Sequence, residues 1–293
     1  MRWRLGSISV FFITLTLVNV CLASHDSRFP HTQIAENLPT SIQEELRQII
    51  NYRFGVLPSS SMLTIKVLSA VFPFATYQFE PGNIKPADAQ ATLARIPKNA
   101  GVPAHVEFQG LWTSNYSHAR PEANVLGGFG TLIIDSQELV IPLVTASPET
   151  LAYYEGLFVK SGEAFVVDSP KALPVTVVLF EANYEKGYLA LPAYGGGYYL
   201  EFHDLPHFWS HVNPDGHGAI ILGKEATPGT LHLTAYQIPY GAGVYVPGGV
   251  VHSDALLIGE VMPIYSVTDK FSTVHIKDKQ GVLVHVRLHS ATN

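Results

Sequence analysis

Two stretches in the C-terminal half carry the side chains that could do chemistry. Residues 197–211 read GYYLEFHDLPHFWSH, with His203, His207 and His211 four residues apart and Glu201 two residues before the first of them. Residues 241–252 read GAGVYVPGGVVH and end on His252, with Asp254 two residues further on. Imidazole and carboxylate are donor types that hold divalent ions such as Fe, Mn, Ni or Zn. Imidazole is also the side chain that moves protons near neutral pH. Side chains alternate faces along a strand. A strand over 198–205 therefore puts Tyr199, Glu201, His203 and Leu205 on one face, and His252 shares a face with Asp254. Pro206 cannot donate to a sheet ladder, so that parity fails beyond it. A bulge there would turn His207 back towards the interior.

The spacing in these stretches matches a known pattern. Gly241, Pro247, Gly249 and His252 occupy every position of Gly, five residues, Pro-x-Gly, two residues, His, which is the second motif of the cupin superfamily. Leu256 stands where that motif usually has Asn. Gly197 and His203 match the first half of the first motif, while Leu205 stands in place of its second His and Trp209 or Ser210 near its Glu. On these residues the chain resembles the cupins, over roughly 170 C-terminal residues at fold level and about 55 at motif level.

The resemblance implies an all-β, cupin-like jelly-roll barrel with His203 and His252 inside. It implies a divalent metal ion (Fe, Mn, Ni or Zn) held by His203 and His252, to which strand parity adds Glu201 as a ligand and a bulge at Pro206 adds His207 as a further ligand or as the catalytic base. Tyr199, Phe208, Trp209, Tyr245 and Asp254 would wall a substrate pocket at the barrel mouth. The implied activity is that of an exported metal-dependent enzyme acting on a small polar molecule, of oxygenase, isomerase or lyase type. The alternative is a non-catalytic cupin that binds a small ligand or serves a structural or host-interaction role; the absent second His and Glu favour it. Cupins often pair through their barrels, so a homodimer is implied as well.

Composition narrows the field. There is no Lys/Arg run or basic stripe, which argues against a nucleic-acid partner. No Gly-x-Ser-x-Gly elbow occurs. The single cysteine, Cys21, lies in a leader, so thiol catalysis is excluded from the mature chain. That leader, residues 1–23, has Arg2 and Arg4 before an apolar run and a small residue, Ala23, at the expected cut. It predicts a signal peptide and a secreted or periplasmic protein with no stable membrane span after cleavage. Asn115-Tyr116-Ser117 is a glycosylation tripeptide of the kind that chance supplies often.

The elements that must position these groups read as follows. Residues 24–105 form an N-terminal helical and extended arm, and residues 106–293 the barrel domain. In the arm, Ser41 and Glu44 form a capping box for a helix over 41–54 closed by Gly55, whose apolar face is Ile42, Leu46, Ile49 and Ile50. An apolar, β-branched run over 63–79 predicts one or two strands, and Pro86 starts a short helix to Arg95. From Val106 onwards, short apolar runs recur between turn signals, which predicts a sandwich or barrel. They include 127–134, 175–181, 187–191 and 231–238, with one helix over 147–159. His211 and His217 flank the turn Asn213-Pro214-Asp215-Gly216 and are expected in solvent; His232, His275, His285 and His289 are expected to be structural or exposed.

Overall fold

The computed structural model describes residues 32–113, 129–192 and 196–291. The leader, the first residues of the arm and the Asn115 tripeptide lie outside the described residues. The described residues are nearly all β, with 51% of them in strands and 9% in helices. In order it runs β1 (Gln33–Ile34), α1 (Thr40–Ile49), β2 (Tyr52–Arg53), β3 (Met62–Val71), β4 (Thr76–Glu80) and β5 (Asn83–Pro86). Then come β6 (Val106–Thr113), β7 (Phe129–Ile134), β8 (Glu138–Thr145), α2 (Pro148–Leu151), β9 (Leu157–Lys160), β10 (Ala164–Val166) and β11 (Leu173–Phe180). The last third holds β12 (Tyr199–His203), β13 (His207–His211), β14 (His217–Thr227), β15 (Thr230–Gln237) and β16 (Ala242–Val246). It ends with β17 (Val251–Ile264), β18 (Phe271–Asp278) and β19 (His285–Ser290).

Seven strands close on themselves in the order β17-β12-β18-β7-β6-β15-β14 and back to β17. This barrel has no free edge, which removes the exposed ladder groups an open sheet must protect. All of its pairs are antiparallel except β18 with β7. The architecture is compatible with a cupin-like jelly roll. Its interior is apolar, with Leu132, Leu200, Ile221, Leu233, Leu257 and Val274 buried in one cluster. Each such side chain contributes about 1.5–3 kcal/mol on burial.

β17 is long enough to serve two sheets. Its first half pairs with β14 and β12 in the barrel. Its second half, from Gly259, pairs with β11 and β13. Outside the barrel, β13 pairs with β16 and β16 with β9, while β11 pairs with β3 from Leu173↔Val71 to Phe180↔Met62. The N-terminal residues are thereby built into the main sheet, and β2 and β1 flank β3. A second apolar cluster, including Phe79, Phe165, Phe208 and Met262, lies under β4, β5 and β10.

Four local expectations are corrected. The first helix spans Thr40–Ile49 rather than 41–54, and Pro39 caps it without a side-chain bond, so the Ser41–Glu44 box does not form. Ser41 already lies in the first turn. Beyond Ile49 the chain turns extended because Tyr52 and Arg53 pair with Leu63 and Met62, and cross-strand pairing overrides local helix propensity. No helix follows Pro86: the Ala94 N–H donates to the Ala164 carbonyl and the Ala164 N–H to the Thr92 carbonyl, so this backbone bonds to β10 instead. The helix at Ser147 starts as expected, with Ser147 and Thr150 capping each other, but stops at Leu151. A single 3₁₀ turn, left-handed Glu155 and Gly156 then lead into β9. Residues 187–191 are not a strand: Glu185–Leu189 is a π-helical turn whose Gly187 packs against Ser60, where a side chain would collide.

Candidate metal centre

The site lies where the chain crosses from the barrel to the second sheet. β12 ends at His203 and Pro206 breaks the ladder, as its missing N–H requires. β13 starts at His207 with new partners, β16 and the far half of β17. This break gives His207 a second approach to the same place. The ring centroids of His203 and His207 are 4.7 Å apart, those of His203 and His252 4.8 Å, and those of His207 and His252 5.1 Å. One ligand-capable nitrogen of each lies within 4.8 Å of the other two. All three rings are buried, at 6%, 4% and 1% exposed.

Local backbone fixes two of the three tautomers. His203 Nδ1 donates to the Leu205 carbonyl at 2.7 Å, and His252 Nδ1 donates to the Val250 carbonyl at 2.9 Å. The lone pairs are thereby left on the two Nε2 atoms, both buried without a hydrogen-bond partner. A ring nitrogen anchored on a carbonyl with the other aimed inward is how metal-ligating histidines are held. His207 differs. Its Nδ1 has no partner, and its Nε2 accepts only a long bond, 3.4 Å, from the Ser266 N–H. The turn at Pro247-Gly248-Gly249 clamps the same corner, because the Gly249 N–H donates to the His203 carbonyl at 2.7 Å. Gly249 needs its glycine, at φ +90°.

Carboxylates stand beside the imidazoles. Glu201 is the register partner of His252, and its Oε1 lies 3.5 Å from His252 Nε2. It also accepts a 3.2 Å bond from the Thr273 hydroxyl. Burial works to raise the Glu201 carboxyl, but His252 beside it holds it below the ordinary range. Burial likewise works to lower His252, and Glu201 raises it. His203 is pushed down to about 4, first by burial and then by the charge of His252. His207 falls well below the ordinary imidazole range through burial and its two imidazole neighbours. Asp254 accepts the Tyr199 hydroxyl, and burial followed by the charge of Glu201 raises its carboxyl.

A pocket opens onto this group, lined by His203, His207, Glu201, Asp254 and Tyr199 together with Arg53. Met62, Tyr265 and Ser266 also contribute. The structure thus brings His203, His207, His252, Glu201, Asp254 and Tyr199 together. Trp209 packs on the triad, stacked on His207 at 4.6 Å and 5.2 Å from His252, but does not line the pocket. Phe208 and Tyr245 lie elsewhere. Phe208 stacks on Phe165 at 5.1 Å in the second core, and the Tyr245 hydroxyl accepts the Asp168 N–H. The expectation that His211 is solvated is corrected: it is 1% exposed because β13 runs inside the sheet, and neither ring nitrogen has a partner.

Arg53 is the site residue that sequence reasoning missed. It donates to the Tyr184 hydroxyl at 2.9 Å, lies over the Tyr199 ring at 5.1 Å, and its charge helps to lower Glu201 and Asp254. Nothing local marks it, since β2 meets the pocket only through its pairing with β3.

No helix among the described residues is long and apolar enough to cross a membrane. Comparison with protein-family models, with curated proteins and with solved structures finds no match. Geometry therefore carries the reading: a closed seven-stranded β-barrel with a buried histidine triad beside a carboxylate.

Proposed function

We infer that this chain is a cupin-like, exported protein that holds a divalent transition metal at His203, His207 and His252, with Glu201 at the edge of the cluster, and acts on a small polar molecule. The observation that carries this is the pair of buried Nε2 atoms on His203 and His252, left unpartnered while each Nδ1 is anchored on a carbonyl. A buried lone pair without a partner costs about 1–3 kcal/mol; a cation removes that cost at His203 and takes the place of the proton that Glu201 favours on His252. The donor set suits Fe, Mn, Ni or Zn.

A bound ion supplies Lewis-acid activation and a template for the ligand. The remaining work falls to side chains. His207, neutral through burial, ligates through one ring nitrogen, and only when uncoordinated would it accept a proton there. Arg53 would draw an anionic or carbonyl oxygen into the pocket, and the Tyr199–Asp254 pair would orient it. The reaction class is that of oxygenases, isomerases or lyases. One observation favours a second reading, a metal-free ligand-binding barrel: a protonated His252 is satisfied by Glu201 alone.

Metal analysis of the purified chain beside His252→Ala separates the two readings. Near-stoichiometric Fe, Mn, Ni or Zn that is lost in the variant supports a metal centre. No metal in either protein, after reconstitution with each ion, leaves the binding role.

A further inference from the structure

A second group of donors sits on β6 and β15, neighbouring barrel strands that pair with neither β12 nor β17. His232 and Glu107 are direct cross-strand partners in the β6–β15 ladder, and His105 lies just before β6. His232 shares no face with Leu231 and Leu233, which fill the barrel core, because alternation turns it outward. His232 Nε2 lies 2.9 Å from Glu107 Oε2. The His105 ring stacks on that of His232 with centroids 4.2 Å apart. One ligand-capable atom of each of the three residues lies within 4.8 Å of the others.

We propose that His105, Glu107 and His232 form a second divalent-metal site, of zinc type, on the outside of the barrel. Two imidazoles and one carboxylate make a common three-residue zinc set that leaves a position open to water. Both imidazoles are held from behind. His105 Nδ1 donates to the Pro103 carbonyl at 3.0 Å, and His232 Nδ1 pairs with the Tyr153 hydroxyl at 2.8 Å. This leaves His105 Nε2 with the lone pair, and His232 Nε2 facing a carboxylate. Two donors 2.9 Å apart fit one ion with bonds near 2.0–2.2 Å. The ion takes the place of the proton that His232 Nε2 and Glu107 share. Tyr153 is itself fixed, with Lys224 donating to its carbonyl at 3.0 Å and lying over its ring. The His105 and His232 planes are only 24° apart, so loading turns the His105 ring out of the stack. His105 precedes the β6 ladder, where side-chain rotation disturbs no strand pair.

The site is independent of the His203 cluster, and the experiment keeps the two apart. Zinc is titrated calorimetrically into the full chain and into Glu107→Gln, His105→Ala and His252→Ala, each checked for folding by circular dichroism. Glu107 is 63% exposed on its side chain, so its glutamine variant tests the site without risk to the core. Wild type is expected to show a zinc-binding event that survives His252→Ala and weakens at least tenfold in both Glu107→Gln and His105→Ala. Unchanged zinc binding in these two variants overturns the proposal and leaves an ordinary Glu107–His232 ion pair. So does the absence of any binding in His252→Ala.

Discussion

Glu201 and His252 face each other across the β12–β17 ladder, and their side chains meet at 3.5 Å inside the protein. The carboxylate and the imidazole each move the other towards its charged form against the pull of burial. The metal-free site is therefore poised between an internal ion pair and a cation site, and a bound cation competes directly with the proton on His252.

This contact predicts a pH window for stability in the metal-free chain. His252 is raised in the fold, so its contribution is full below the unfolded imidazole value of about 6.5 and is lost as pH rises through the folded value. Glu201 is lowered, so its contribution is full above about 4.5 and is lost as pH falls. Glu201→Gln is expected to cost about 1.5–3 kcal/mol near pH 5.5 and less at pH 9, where His252 is neutral and only Arg53 and the Thr273 hydroxyl still favour the carboxylate. Urea titrations at the two pH values check this; an equal loss at both would show that the pair is uncharged.

His211 gives the opposite sign. Burial, followed by the nearby His217, lowers it to about 4. The unfolded chain then binds a proton that the folded chain refuses, so stability is full above about pH 6.5 and falls towards pH 4 by roughly 3 kcal/mol. His211→Leu is expected to flatten this acid arm, read as the difference in Tm between pH 7 and pH 4.5. An unchanged difference would assign the acid loss to other buried histidines such as His203 and His275, both also held near 4.

Gly248 lies so close to the Asp204 carbonyl that an added Cβ would overlap it. Gly248→Ala should push the 203–205 turn away, move the carbonyl that anchors His203, and weaken metal binding at the triad at least tenfold, with about 1–3 kcal/mol lost in stability. Gly241→Ala is the control. Its φ of +82° strains a side chain by about 1–2 kcal/mol, yet a Cβ there meets nothing within 4 Å, and metal affinity should stay unchanged.

Trp209 stacks on His207 with planes 18° apart, and its indole N–H is buried without a partner. Loading the triad should change tryptophan fluorescence, and Trp209→Phe should abolish the change. Because phenylalanine leaves no orphaned N–H, Trp209→Phe should cost less stability than Trp209→Ala, for which about 3–5 kcal/mol is expected. A fluorescence response that persists in Trp209→Phe would put the bound ion elsewhere.

Arg53 is 4% exposed and sits near two carboxylates whose ionisation it favours. Arg53→Met removes one side of a buried charge network, and a loss of about 3–5 kcal/mol is expected in the urea midpoint. Arg53→Lys should restore part of it. A neutral Arg53→Met would mean that Glu201 and Asp254 do not need the cation.

The sequence by itself determined what is local. Alternating apolar runs marked the strands, the Gly241–His252 spacing marked the turn that now holds His203, and period-two parity put Glu201 beside His203 and Asp254 beside His252. Pro206 marked a break. What it could not supply was which sheet each strand joins, because pairing is set by distant partners. That decision sends β13 to β16 and the far half of β17, which returns His207 to the triad but buries Phe208 and His211 in other surroundings. The same long-range pairing ended the first helix at Ile49, replaced the helix after Pro86 with bonds to β10, and carried Arg53 into the pocket on β2. It also set His232 opposite Glu107, two residues whose separation in the chain hides their contact. Side-chain periodicity is written within a few residues, whereas the centre needs groups from strands that only the closed barrel brings together.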